Sequence, residues 1–193
     1  MARHGQSLWQ VEGDSAGSNA PLTELGELQA HRLGEYLTTH YEPAALYTSH
    51  LQHAQRTAEI VADYVHLPVM IDEELREFDE WEAGWAPEPV SRWDPSPIDA
   101  QLSPGYLRFR SRIEAALRRI VDRHAEEESV MIVAHGGSIG AMWRILVGSD
   151  TPRLWTWNAA LHQVEWEKPN WGRGWVFQYI NLMEYLPVHM RTS

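Results

Sequence analysis

The stretch Ser129-Val130-Met131-Ile132-Val133-Ala134-His135-Gly136-Gly137-Ser138 decides the fold. Its first half is an unbroken apolar run with no in–out alternation. Such a run reads as a strand covered on both faces, in the middle of a parallel sheet. It stops at a histidine and two glycines, and a helical pattern follows over about Ile139–Val147. Open α/β sheets place their ligands at the carboxyl ends of such strands. Glycines there let the backbone come close to a ligand, and the helix start favours an anion. His135 and Gly136 are therefore site candidates, the plain alternative for His135 being a capping or loop histidine.

Working outward, the chain alternates strand and helix. Thr23 is a natural N-cap for a helix reaching about His40, with Leu25, Leu28, Leu33 and Leu37 on its apolar side. Ala45–Ser49 reads as a short strand, Gln52–Val65 as a helix, Pro68–Ile71 as a strand and Tyr106–Ala125 as a long amphipathic helix. Leu161–Trp166 and Trp175–Ile180 read as strands joined through Asn170-Trp171-Gly172-Arg173-Gly174. The span from Leu75 to about Pro104 holds prolines at 87, 89, 95, 97 and 104 and is expected to be irregular. The pattern predicts one domain over residues 1–193, a three-layer α/β/α sandwich with a mostly parallel central sheet. A Pro- and Trp-rich, lid-like insertion is expected at about 79–104.

Composition narrows the chemistry. The 193 residues carry 27 acids against 16 bases, a net charge of −11, which speaks against nucleic acid or an anionic membrane surface as partner. No apolar run is long enough for a membrane span, and the Met1–Gly5 start lacks a signal-peptide pattern, so the expected compartment is the cytoplasm. There is no cysteine, which removes disulfides, thiol nucleophiles and zinc–thiolate sites. Lys168 is the only lysine and lies outside any Gly-rich loop, which removes a P-loop. Histidine, arginine, carboxylate and hydroxyl groups remain. The histidines lack a metal-binding spacing, His50 and His53 being a lone i, i+3 pair, so neither metal nor cofactor is expected.

A second His-Gly pair stands at Arg3-His4-Gly5. Taken in order with Pro21-Leu22-Thr23-Glu24-Leu25-Gly26, Leu75-Arg76-Glu77 and Val133-Ala134-His135-Gly136-Gly137, it resembles the histidine phosphatase superfamily, which contains the cofactor-dependent phosphoglycerate mutases and many small phosphatases. The resemblance runs from Ala2 to about Asn181. It implies that His4 attacks phosphorus and carries a phosphohistidine. Arg3 would grip the phosphoryl oxygens, His135 would face them, and Glu77 would protonate the leaving oxygen and then activate water. The chemistry suits the residue types. Imidazole is nucleophilic near neutral pH, guanidinium is a planar oxyanion fork, and a carboxyl can serve as acid and base.

Three departures qualify the resemblance. Where the family usually has a second clamp arginine, Ser49-His50-Leu51-Gln52-His53-Ala54-Gln55-Arg56-Thr57-Ala58 places His53. Either a protonated His53 substitutes, or Arg56 reaches back into the pocket, or the clamp is weakened. Loss of one such donor costs roughly 2.7–4 kcal/mol in the transition state. Gln10 stands where an asparagine often touches phosphate. Only Met1 and Ala2 precede the first motif, so a shortened central strand with unpaired neighbours is expected.

The expected function is metal-independent hydrolysis of a small phosphorylated metabolite. The alternatives are a non-catalytic phospholigand-binding protein with a degraded clamp, a mutase-type phosphotransferase and, more weakly, a metal-dependent hydrolase using the surplus histidines. The ten tryptophans, with Trp81, Trp85 and Trp93 beside the insertion, fit core packing, a lid or a homodimer surface.

Overall fold

The computed structural model describes residues 1–79, 89–91 and 94–97 (backbone only), 102–167 and 172–193. In chain order the elements are β1 (Ala2–Arg3), α1 (Leu8–Glu12), α2 (Glu24–His40), β2 (Ala45–Thr48), α3 (Gln52–Val65), β3 (Val69–Ile71), β4 (Pro89–Ser91), β5 (Asp94–Pro97), α4 (Pro104–Arg123), β6 (Val130–Ala134), α5 (Gly136–Val147), β7 (Leu161–Glu167) and β8 (Gly174–Leu182). Six strands form one sheet in the order β3-β2-β6-β1-β7-β8. The three pairings on the β3 side are parallel, and β7 joins β1 and β8 antiparallel.

The run that decided the fold lies near the centre of this sheet, and its alternate residues feed two cores. Ile132 and Ala134 pack with Phe109, Ile113 and Leu117 of α4 and with Ile139 and Met142 of α5. Met131 and Val133 face the other way, onto Leu33 and Leu37 of α2 and Ala58 and Val61 of α3. Two covered faces explain why this strand needs no polar residue. The result is the expected three-layer sandwich, with α4 and α5 on one side and α2 and α3 on the other.

Local signals set the helix ends. The Thr23 hydroxyl accepts from Gly26 N–H and starts α2. Ser103 caps α4 by accepting from Tyr106 N–H, with Pro104 in the first turn where no donor is needed. Gly148, at φ 72°, closes α5 in the left-handed region. The sequence reading missed α1, which a Ser7/Gln10 capping box starts. Within the span expected to be irregular, β4 and β5 form a short antiparallel pair. Most of the remaining insertion, including Trp81, Trp85 and Trp93, lies outside the described residues, as do Lys168 and residues 169–171.

Strand β1 is two residues long, yet it holds the sheet's halves together. Ala2 and Arg3 align with Val133 and Ala134, and Ala2 also aligns with Leu161. Met1 extends the seam: its amino group donates to the His162 carbonyl, and its own carbonyl accepts from His162 N–H, both at 2.7 Å. Further along, Val130–Ile132 register with β2 and Gln163–Glu167 with β8. A groove of about 710 Å3 opens there, lined among others by Met131, Ile132, His162 and Val164.

The His162 side chain is fully buried, and burial, with the chain's amino group beside it, pushes its pKa down to about 3. The folded protein therefore refuses a proton that the unfolded chain binds near pH 6.5. This contribution to stability is complete above about pH 6.5 and is lost progressively as the pH falls towards about 3. We expect His162→Leu to shrink the stability lost between pH 7 and pH 5 by about 2 kcal/mol in urea unfolding. An unchanged pH slope would contradict this.

Candidate active site

The site forms where β1, β2 and β6 end. His4 leaves β1 with both backbone groups held: its N–H donates to the Ala134 carbonyl at 2.9 Å, and its carbonyl accepts from Ala159 N–H at 3.1 Å. The next turn lies against α2 with almost no space between backbones. A Cβ on Gly5 would stand 2.2 Å from the Gly26 carbonyl oxygen, and one on Gly26 would stand 2.1 Å from that of Gln6. Both positions require glycine through contact. Gly5 N–H donates to Thr57 Oγ1 at 3.1 Å, and this hydroxyl donates to the His53 carbonyl at 2.7 Å, which ties the turn to α3.

Three imidazoles meet at this point: His4, His53 in the first turn of α3, and His135 at the N-cap of α5. Ring centroids lie 4.2 Å apart for His4 and His53, 5.0 Å for His53 and His135, and 5.2 Å for His4 and His135. All three residues are buried. Their partners assign the tautomers. His53 Nδ1 lies 2.9 Å from the Ala20 carbonyl, which can only accept, so Nδ1 carries the proton. His53 Nε2 then accepts from His135 Nδ1–H at 3.2 Å, and His135 Nε2 accepts from the Ser49 hydroxyl at 2.7 Å. His4 Nδ1 donates to the Gly5 carbonyl at 2.7 Å, which leaves its Nε2 unprotonated.

Burial holds these rings neutral. It pushes His4 and His135 well below the ordinary imidazole range, with further lowering by neighbouring imidazoles and Arg3. His53 is lowered as well, chiefly by burial. The idea that His53 stands in for an arginine as a cation has no support in this state, because burial disfavours the charged ring and Arg3 repels it.

Glu77 approaches from the loop after β3. Arg112 of α4 donates to the Arg76 carbonyl at 3.0 Å and to that of Glu77 at 3.3 Å, and Ser138 Oγ donates to the Arg76 carbonyl at 2.9 Å. The carboxyl accepts from Gly137 N–H at 2.7 Å, in the first turn of α5. A Cβ on Gly137 would lie 2.2 Å from Glu77 Oε1, so the approach depends on that glycine. Burial raises the Glu77 pKa, against the opposing pull of two backbone donors, Arg3 and Arg112. A raised carboxyl pKa favours the protonated form that a general acid needs.

Arg3 donates from Nη1 to the Thr156 carbonyl at 2.6 Å, while its buried Nε has no hydrogen-bond partner among the described residues; Thr156 Oγ1 is likewise unpartnered. A Cβ on Gly136 would sit 3.7 Å from that Nε, so the absence of a side chain at 136 keeps space open beside the guanidinium. An unsatisfied buried donor of this kind marks a place for an acceptor.

Two candidates take other places. Gln10 forms a reciprocal amide pair with Asn158 at 2.9 and 3.0 Å, and Asn158 Nδ2 also donates to the His4 carbonyl at 3.2 Å. Gln10 thus braces the backbone of His4 through Asn158. Arg56 stands apart from the cluster. It is exposed on α3, with Nε 2.9 Å from Glu27 of α2 and Nη1 3.7 Å from Glu59. Three residues after His53 the helix turns this side chain towards α2, and the structure does not bring it to the imidazoles. Ser49 and Asn158 were not among the sequence candidates. Ser49 lay in the quoted block without a charge to mark it, and nothing local distinguishes Asn158. The grouping of His53 with His4 and His135 was not foreseen, because the sequence shows His53 only beside His50.

Comparison with known proteins places the chain in a family and a fold. The model of the histidine phosphatase superfamily (branch 1) matches residues 1–181. The chain belongs to this superfamily. Among the histidine phosphatase relatives, an uncharacterised phosphatase, PhoE of Bacillus subtilis, is 30% identical over 176 residues, covering 89% of each chain. A probable phosphoglycerate mutase, GpmB of Klebsiella pneumoniae, is 30% identical over 198 residues, covering 92% of this chain and 89% of the relative. The solved structure of Bacillus stearothermophilus YhfR superposes with a TM-score of 0.72 at 25% identity, covering 96% and 97% of the two chains. A mycobacterial glucosyl-3-phosphoglycerate phosphatase solved with VO3 shares the fold, with a TM-score of 0.66 at 22% identity over 95% and 98%. Among the described residues no helix is long and apolar enough to cross a membrane.

The tautomers can be read directly by 15N NMR of the imidazole rings. At pH 7 we expect three neutral rings, with His4, His53 and His135 protonated on Nδ1. Imidazolium shifts for two or more of them would contradict the assignment.

Proposed function

We propose that this protein hydrolyses small phosphomonoesters through a phosphohistidine on His4. One observation carries the reading: a neutral imidazole whose Nδ1 is tied to the Gly5 carbonyl, so that Nε2 holds a free lone pair, in a site that also receives a buried guanidinium with an unpartnered Nε. His4 Nε2 attacks phosphorus, and the nitrogen–phosphorus bond forms as the ester oxygen departs. Glu77, whose pKa burial raises, acts in its protonated form and gives its proton to that oxygen. Water then attacks the phosphohistidine, its proton returns to Glu77, and phosphate leaves with His4 neutral again. Arg3 Nε accepts the role of oxyanion donor, and His135 faces the equatorial oxygens once substrate displaces its present bonding. No metal takes part in these steps.

The substrate class is a small phosphorylated metabolite, and the setting a cytoplasmic enzyme. Hydrolysis is preferred to mutase chemistry because only the stretch near 79–104 is available to enclose a second phosphate. With Arg56 engaged by Glu27 and His53 neutral, the phosphate clamp rests on Arg3. That favours slow turnover and keeps a phospholigand-binding role as the second reading.

p-Nitrophenyl phosphate separates the two. We expect turnover that persists in EDTA and vanishes in His4→Ala; phosphate binding without turnover would support the binding role. His53→Arg should raise kcat/KM by about tenfold or more, since a fully placed donor is worth roughly 10²–10³. Unchanged kcat/KM would reject the weakened clamp. Glu77→Gln should depress kcat/KM for an alkyl phosphate by about 10²–10⁴, and far less for p-nitrophenyl phosphate, whose leaving group needs no proton. Equal losses on both would remove Glu77 from the acid role.

A further inference from the structure

Histidine at position 53 changes more than the phosphate clamp. It completes a group in which one ring nitrogen from each of His4, His53 and His135 lies within 4.8 Å of the other two. From this geometry we infer that the three imidazoles form a binding site for a divalent transition ion of the zinc class, one that an arginine at position 53 would abolish.

The outer contacts are those of a metal-binding histidine cluster. Imidazole ligands commonly donate their second ring N–H to a backbone carbonyl or another fixed acceptor, which orients the remaining lone pair at the ion. His4 does so to the Gly5 carbonyl and His53 to the Ala20 carbonyl, so each presents Nε2. His135 presents Nδ1 towards His53 Nε2 at 3.2 Å. Zinc–nitrogen bonds of about 2.0–2.1 Å with tetrahedral angles put neighbouring ligand nitrogens about 3.3 Å apart. The His53–His135 pair is already at that spacing. The widest separation in the group needs to close by no more than about 1.5 Å.

The proton between His53 and His135 has somewhere to go. On ion binding it moves from His135 Nδ1 to Nε2, and the Ser49 hydroxyl, 2.7 Å away, turns from donor to acceptor. The ligands stay neutral and no proton leaves the protein. Three imidazoles leave a fourth tetrahedral position for water. Of the nearby charges, Arg3 and, at His135, Arg112 oppose a cation, so the ion must be held by the imidazole bonds themselves. The bound ion takes the His4 Nε2 lone pair, so zinc would compete with the phosphoryl chemistry proposed above. The site itself does not depend on that chemistry.

Cobalt(II) gives a readout independent of turnover. Metal-free protein titrated with cobalt chloride should develop the intense visible absorption of a tetrahedral centre, which zinc then displaces. His53→Arg and His135→Gln should abolish the spectrum. Ser49→Ala should weaken zinc binding about 10–100-fold by releasing the His135 ring. The exposed-histidine variants His31→Gln and His189→Gln should leave it intact. Circular dichroism confirms that each variant is folded. A pale octahedral spectrum, or a tetrahedral one retained in folded His53→Arg, would overturn the site.

Discussion

A single hydrogen-bonded file runs from the Ala20 carbonyl through His53 and His135 to the Ser49 hydroxyl, and the rest of the site is arranged around it. Burying three imidazoles against one another is costly unless each is neutral and each ring N–H has an acceptor. The carbonyl at one end accepts only, which fixes the direction of every donor along the file. His4 is fixed separately by the Gly5 carbonyl and is left as the one ring with an uncommitted lone pair. Neutrality, orientation and nucleophilic character thus follow from the same constraint.

The fold supplies the positions. Two residues of β1 sit between β6 and β7, and their backbone bonds bring His4 beside His135 at adjacent strand ends. Glycines at 5 and 26 let α2 close on the following turn, while Gly137 lets Glu77 reach the first turn of α5. Arg112 and Ser138 hold the loop that carries Glu77 from two separate helices. The catalytic candidates therefore rest on elements of both layers, which favours a rigid, preorganised site.

Much of the architecture was legible in the sequence because it depends on periodicity and local chemistry. The apolar run of β6 announced a doubly covered strand, and α3 spans the residues its pattern predicted, Gln52–Val65. The short α1 escaped because its capping box marks a helix of only five residues. In the site, Arg3, His4, Glu77 and His135 could be named through the resemblance. The fate of His53 and Arg56 could not, because it is set by partners far along the chain: Ala20 lies 33 residues before His53, and Glu27 lies 29 before Arg56. A helical register gives the angle between two side chains but not which acid on a neighbouring helix will claim one of them. The trio of His4, His53 and His135 was hidden for the same reason, since its members span 131 positions of sequence.

The proposed phosphohistidine is most directly tested by trapping it. The protein is mixed briefly with a phosphomonoester, quenched under alkaline conditions and digested, and the phosphopeptide is mapped by mass spectrometry. The account predicts an acid-labile, alkali-stable phosphoryl group on His4, absent from His4→Ala. Steady turnover with no such adduct, or with the phosphoryl group on another residue, would contradict it.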